Sequence, residues 1–445
     1  MEHAHWIRRA GREGVVLAIP IALFLTFLVV ARHGLFGDEP LHADQIQRFI
    51  RGDFGLNPYI TQLPGYHAVI ALPGRLFGVQ DLPLLRLLTF LLSLSALPIV
   101  YLTARALDEQ SALVRTVQFV FFPILLPFFF LLYTDLLSLL LVVLGFLLVW
   151  RRHPVWGGIA GVGAVLVRQT DIPWLAFLFL LALWREGLLS LIPYPPLQPL
   201  RLPAWRGGTL RDKKSVVSAH HSLFILLRLS RNVRSWLTVS APYVFGFAAF
   251  GAFVLLNGGV ALGDQGAHPF PSFHLGNVTF ALFLTFFFLL PLHIANIPRI
   301  LRLVSRKAWV IPLLSLLFLF FYLTFANDHP YNQESHAFFL RNRVLLFAAS
   351  SPMNRALYLL PAVLSILSLA VTRMRQPVFL LLYPVTLLFL VPSWLVEQRY
   401  YFIPFTLFLL FRERYPRTVE YGMAALHVVV AYVFLFGIVG DMFFL

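Results

Sequence analysis

The sequence predicts an all-α polytopic membrane protein, and three observations carry that expectation. The chain has 445 residues, of which 59% are apolar and only 12% are charged, with 45 phenylalanines. Its mean hydropathy is +0.78. A soluble domain carries roughly a quarter charged residues, so water is not the solvent for most of this surface. Apolar runs of bilayer-crossing length also recur from end to end. Finally, the basic residues alternate in a way that sorts the breaks between these runs into two faces.

Cutting at charged and Pro/Gly-rich breaks gives about thirteen spans. They lie near 14–31, 84–104, 113–132, 136–150, 155–168, 173–184, 237–256, 278–297, 308–326, 356–372, 378–395, 400–411 and 422–440. Arg8, Arg9 and Arg12 precede the first span, and no small-residue cleavage site follows it, so it reads as a retained anchor. With the N-terminus cytoplasmic, the inside segments hold 25 of the 35 basic residues, nine of them between 185 and 235. Acids lean the other way, with 12 of 20 outside. This asymmetry accounts for the net charge of +15 without invoking nucleic acid. The absence of cysteine excludes disulfides, thiolate metal sites and cysteine nucleophiles.

Within one membrane domain spanning 1–445, three segments stand apart. The outside loop 32–83 contains a stretch from Leu41 to Ile50 with Ile46, Phe49 and Ile50 at helical spacing and Asp44, Gln47 and Arg48 on other faces. That pattern predicts an amphipathic helix in the interface plane, and a second follows from Pro64 to Gly78. The inside loop 185–235 is Pro-rich and then basic, with an irregular stretch expected around Arg206 to Thr209. The late outside segment 327–355 is polar. No internal repeat of the kind that builds transporters stands out.

Soluble-enzyme signatures are missing: no phosphate-binding Gly-rich loop, no HExxH, no GxSxG and no Asp-x-Asp pair. Asn277 and Thr279 fit a glycosylation sequon, a triplet that chance supplies often. An enzyme without a nucleotide site draws its activated substrate from the lipid phase, and the expectation is one without cofactor or metal. The polar groups at membrane edges then become informative, since ionisable groups near hydrocarbon are costly unless paired, solvated or used. Asp38 and Glu39 follow the first span and precede Pro40, beside the positive end of a helix, where they either cap it or serve as a general base. Tyr133 to Asp135, Arg168 to Asp171 and Glu397 to Tyr400 flank spans on the same side. Four such clusters describe a polar cavity at the outer leaflet. Arg341, Arg343 and Arg399 suit a lipid-linked phosphate, and a carboxylate beside them suits a hydroxyl acceptor. The outcome would be a metal-free, inverting glycosyl transfer.

At these residues the chain resembles the dolichyl-phosphate-glucose α-1,2-glucosyltransferases, which add the last glucose to the lipid-linked oligosaccharide of asparagine-linked glycosylation. The resemblance is carried by Asp38, Glu39, His42, Gln45, Gln47 and Arg48, then by Asn57 through Gly65 with Gln62 inside it. Tyr133 to Asp135, Arg168 to Asp171 with Trp174, and Asn257 to Gly259 with Gly263 and Asp264 follow in order. His268, Phe273, His336, and Glu397 with Arg399 and Tyr400 complete the set, which spans about 15–440. It implies a C-type glycosyltransferase fold working on the non-cytoplasmic face, in the endoplasmic reticulum membrane or, for a bacterial relative using undecaprenol, the inner membrane. Its donor would be a polyprenyl- or dolichyl-phosphate-glucose and its acceptor a lipid-linked oligosaccharide. By the same resemblance Asp38 or Glu39 is the base, and Arg399, Arg341, Arg343 and His42 hold the donor phosphate. Gln47, Arg48, Gln62, Asp135, Arg168, Gln169, Asp171, Asp264, His336 and Glu397 contact substrate. Gln333, Glu334 and Ser335 replace the family's Asp-Asn-Arg before His336. Two alternatives share the sequence: transfer of another polyprenyl-phosphate sugar to a surface glycan, and transport or flipping of a lipid-linked saccharide.

Overall fold

The computed structural model describes residues 2–189, 217–269 and 271–445. Among them the secondary structure is helical, with two isolated β-bridges and no strand. The irregular stretch expected around Arg206 to Thr209 lies outside the described residues. The chain opens with α1 (Glu2–Val30), and the outside loop then supplies two short helices, α2 (Glu39–Arg51) and α3 (Gly65–Phe77). Both end on a left-handed glycine, Gly52 and Gly78. The buried face of α2 holds Ala43, Ile46 and Ile50, which pack on Tyr66 and Ile70 of α3.

A long apolar rod follows in two pieces, α4 (Leu82–Leu94) and α5 (Ala96–Leu107), and then α6 (Ala112–Val120). Next come α7 (Asp135–Trp150), α8 (Pro154–Val167), α9 (Ile172–Arg185) and the 41-residue α10 (Val217–Asn257). The second half runs α11 (Gly276–Phe288), α12 (Leu290–Arg306), α13 (Val310–Thr324), α14 (Leu340–Ser350), α15 (Pro352–Val371), α16 (Leu382–Leu390), α17 (Phe402–Phe411) and α18 (Arg417–Val439). Among the described residues four stretches are long and apolar enough to cross a membrane: Leu82–Leu107, Ser235–Asn257, Pro352–Val371 and Arg417–Val439. A fifth is the broken pair α11 and α12. The protein is therefore an all-α membrane protein.

Two expected continuous spans are broken. The run 113–132 is helical only to Val120, and residues 121–134 form short irregular turns although every one of them is buried. Pro123 and Pro127 lack the N–H a helix needs, and this backbone survives at such depth because protein rather than lipid surrounds it. The run 278–297 turns by 94° between α11 and α12. Pro291 stands in the first turn of α12 and lacks the N–H that would continue the α11 ladder through Leu289.

Candidate active site

The polar clusters expected on one face of the membrane converge at one end of the helices. They surround a cavity of 380 Å³ lined from five parts of the chain: the start of α2, the loop between α2 and α3, Arg168, the loop after α10, and the late segment running to Tyr400.

Asp38 enters this cavity through a tightly packed turn. Gly37 has φ +53, and an added Cβ would sit 2.6 Å from the Tyr133 hydroxyl and 2.7 Å from the Phe444 ring, so only glycine fits. The Asp38 N–H donates to the Tyr133 hydroxyl at 2.7 Å, and that hydroxyl donates to the Phe36 carbonyl at 3.1 Å. Although Asp38 stands at the N-cap of α2, its carboxylate makes no capping bond. It accepts instead from Arg399 Nη2 at 2.8 Å and remains 42% exposed. Its neighbour is placed quite differently. Glu39 is fully buried, accepts from the Phe36 and Leu132 N–H groups at 2.9 Å each, and is gripped by both nitrogens on one side of the Arg86 guanidinium. All its lone pairs facing the protein are used, and it does not line the cavity. Of the two expected carboxylates, only Asp38 lines the cavity.

Arg399 is the centre of the charge network. Besides Asp38 it contacts Glu397 at 3.2 Å and Asp135 at 3.9 Å, and its guanidinium stacks 5.0 Å from the Tyr133 ring centroid. Arg341 pairs with Glu397 at 3.0 Å, and Arg168 pairs with Asp135 and lies 5.5 Å from the Tyr400 ring centroid. Arg168, Arg341 and Arg399 thus line the cavity with Asp38 and Glu397, and Asp135, which does not line it, pairs with Arg168 and Arg399 from behind. Such charges are tolerated because each is paired. His42 also lines the wall. Burial, helped by Arg399 and Arg168, pushes it down to about 3, so it is a neutral partner of His67, 2.9 Å away, rather than a cation for phosphate.

Two of the sequence blocks meet through their backbones. The N–H groups of Leu262, Gly263 and Asp264 bond the carbonyls of Thr61, Ile60 and Pro58. A Cβ at Gly263 would lie 2.1 Å from the Pro58 carbonyl oxygen, which explains the glycine. Gln169 clips this junction by accepting from the Leu63 N–H at 2.9 Å and donating to the Thr61 and Val260 carbonyls. Asp264 follows in the left-handed region at φ +42 and lines the cavity beside Tyr331, whose hydroxyl donates to it at 2.9 Å. Gln62 and His336 line the cavity as well.

Asp135 and Gln169 do not line the cavity, and four further expected contacts stand elsewhere. Gln47 donates to the Gln80 carbonyl on the surface, and Arg48 pairs with Asp44 and Asp53. Arg343 is exposed and bonds the Ala337 and Met442 carbonyls. Asp171 is buried behind the wall with Ser138. Helical spacing turned the first two away from the cavity, because they share the outer face of α2.

Sequence reading missed the residues that hold the wall in place. Asn277, the sequon residue, is fully buried. It donates to the Ser393 and Leu395 carbonyls and accepts from the Glu397 N–H and the Tyr401 hydroxyl. No glycan fits there. Asn332 likewise bonds both the N–H and the carbonyl of Val396, and Asn342 bonds Asn332. Side-chain amides inside apolar runs were the available signal, because a buried amide must find partners.

A family model described as the DIE2/ALG10 family matches residues 33–410. The chain belongs to that family. Among its relatives, the "Dol-P-Glc:Glc(2)Man(9)GlcNAc(2)-PP-Dol alpha-1,2-glucosyltransferase" of Arabidopsis thaliana is 25% identical, with 88% of each chain covered. A Homo sapiens protein of the same name is 26% identical over 83% of this chain and 82% of its own. One from Kluyveromyces lactis is 24% identical over 86% and 74%. No solved structure matches. The matched region of this DIE2/ALG10 member contains every cavity-lining residue.

Proposed function

We propose that the chain transfers glucose from dolichyl- or polyprenyl-phosphate-glucose to a hydroxyl of a lipid-linked oligosaccharide, forming an α-1,2 linkage with inversion. The names of the relatives supply donor, acceptor and linkage. The observation that carries the reading to this cavity is Asp38, an exposed carboxylate held at 2.8 Å from an arginine that is itself ringed by acids.

In this mechanism Asp38 takes the proton of the acceptor hydroxyl as its oxygen bonds to the anomeric carbon of glucose. The bond from that carbon to the phosphate oxygen breaks on the opposite face. The polyprenyl phosphate departs as an anion against Arg399 and Arg341, and it needs no proton from an acid. A positioned base contributes about a hundred- to ten-thousandfold in such a step. The acidic partners of Arg399 keep the clamp desolvated yet neutralised until phosphate arrives, and charge-assisted bonds to phosphate then replace some of those to carboxylate. Glu39 belongs to the scaffold, since it ties α1, α2 and α4 through Arg86.

The same proposal includes thirteen spans in a C-type fold, acting as one catalytic unit with the cavity on the lumenal or periplasmic side. The split of basic residues supports this sidedness. Incubation of the purified protein with labelled dolichyl-phosphate-glucose and a lipid-linked oligosaccharide ending in two glucoses tests the reading. The expected product carries one further α-1,2-linked glucose. Donor left intact, or a different linkage, would overturn it.

A further inference from the structure

Among the described residues, two large apolar cavities stand beside the polar one. The first, of 440 Å³, lies among α11, α13, α15, α16 and α17 and shares no lining residue with the polar cavity. The second, of 420 Å³, lies among α11, α14 and α18, lined by side chains such as Phe283, Phe287, Val430 and Phe434. Among the described residues, the polar side chains lining this second groove are Arg341 and Gln398. Arg341 also lines the polar cavity and is the one residue common to both spaces.

These two side chains are incompletely satisfied. Arg341 is 6% exposed and Gln398 is 2% exposed. Arg341 spends its terminal nitrogens on Glu397 and the Leu445 carbonyl, but its buried Nε has no partner, and neither has the buried Nε2 of Gln398. An arginine at the head of an otherwise apolar groove, with its guanidinium also on the polar cavity, suits a ligand with an anionic head and a hydrocarbon tail.

We infer that this groove holds the polyprenyl chain of the sugar donor, with the donor's phosphate at Arg341 and its glucose in the polar cavity. The inference rests on the proposed function and deepens it. A monophosphate donor has its sugar directly on the phosphate, so its lipid must enter within one residue's width of the cavity, which the shared Arg341 provides. The acceptor's reacting glucose is separated from its own lipid by a long glycan, so its lipid has no need of a groove here. The groove around α16 and α17 shares no residue with the polar cavity, and its polar side chains, Thr285, Tyr383, Thr386 and Tyr401, include no cation for a phosphate.

Two measurements test this. In the first, a polyprenyl phosphate with a photoreactive diazirine in its isoprenoid chain is irradiated with the unmodified protein, a readout independent of turnover. Labels should map to α11, α14 and α18 and be competed by unlabelled dolichyl phosphate but not by excess phosphatidylcholine. Labels on α13, α15 and α16 instead, no labelling, or displacement by phosphatidylcholine would each overturn the groove while leaving the transfer reaction standing. In the second, Val430→Trp fills the groove away from all catalytic groups. The KM for dolichyl-phosphate-glucose should rise about tenfold, a loss of about 1.4 kcal/mol. The KM for methyl-phosphate-glucose, which has no isoprenoid chain to enter the groove, should change less than about twofold, with kcat for both unaltered. Equal effects on the two donors, or none on either, would contradict the assignment.

Discussion

The Arg412–Glu420 network and the Arg399–Asp38 network stand at opposite ends of the helices, and they differ in what they face. At the inner end, Arg412 is fully buried and bonds both oxygens of Glu420 at 2.7 Å. Gln118 bonds the same carboxylate, the Tyr415 N–H donates to it, and Arg115 reaches the Leu410 and Arg412 carbonyls. Every partner is protein, and the cluster ties α6, α17 and α18 together. At the outer end, Asp38 leaves the same kind of network 42% exposed to a 380 Å³ cavity. Charge pairing at depth is therefore no mark of a site by itself. An exposed carboxylate on a buried arginine, beside a space large enough for a sugar, is.

Substitutions should separate the two clusters. Asp38→Asn should lower kcat by about a hundred- to ten-thousandfold while unfolding near the wild-type temperature, because the amide keeps the shape but takes no proton. Steady-state transfer and thermal unfolding in detergent measure both quantities. Glu39→Gln and Glu420→Gln should do the reverse. Each strips a buried arginine of its counter-charge, at a cost of about 3–5 kcal/mol, and turnover per folded molecule at the inner site should hold. If Glu420→Gln abolished transfer without lowering stability, the contrast between the ends would fail. Arg399→Ala is intermediate, and should weaken donor use by about 1.5–3 kcal/mol, read from kcat/KM for the phosphate donor.

The smallest effect is a pH dependence. His42 titrates in the folded state at about 3, against 6.5 ordinarily, and burial holds His67 below its usual range too. Below pH 6.5 the unfolded chain binds protons that the folded chain refuses, so stability falls as pH drops, by up to about 1.4 kcal/mol per unit for each histidine. His42→Asn should make the slope shallower in thermal unfolding between about pH 7.5 and pH 5.5. An unchanged slope would place the acid sensitivity elsewhere.

Much of this arrangement was legible in the sequence, for reasons that also explain the gaps. Apolar runs marked where helices lie, and amphipathic spacing marked α2 and α3. Hydropathy cannot tell burial in lipid from burial in protein, so the irregular run from Phe121 to Leu132 and the bend at Leu289 read as plain spans. The polar edge residues announced a common cavity because isolated charges there are expensive. Which carboxylate faces it was not readable. Asp38 and Glu39 are adjacent, and the difference is made by Arg86, forty-seven residues away, and Tyr133, ninety-five residues away. The blocks around Asn57 and Asn257 could be recognised separately, but their backbone pairing through Gly263 is a tertiary fact.

The most direct test of the central claim uses the absence of native cysteine. Asp38→Cys gives a protein with a single thiol, which can be alkylated with iodoacetate to restore a carboxylate or with iodoacetamide to install an amide of almost the same size. Transfer of glucose from dolichyl-phosphate-glucose to the lipid-linked acceptor is then measured for the unmodified and the two alkylated forms. The account predicts that the unmodified and carbamidomethylated proteins are inactive and that carboxymethylation returns α-1,2 transfer. Near-wild-type turnover before alkylation, or equal activity of the acid and amide forms, would show that no base acts at position 38.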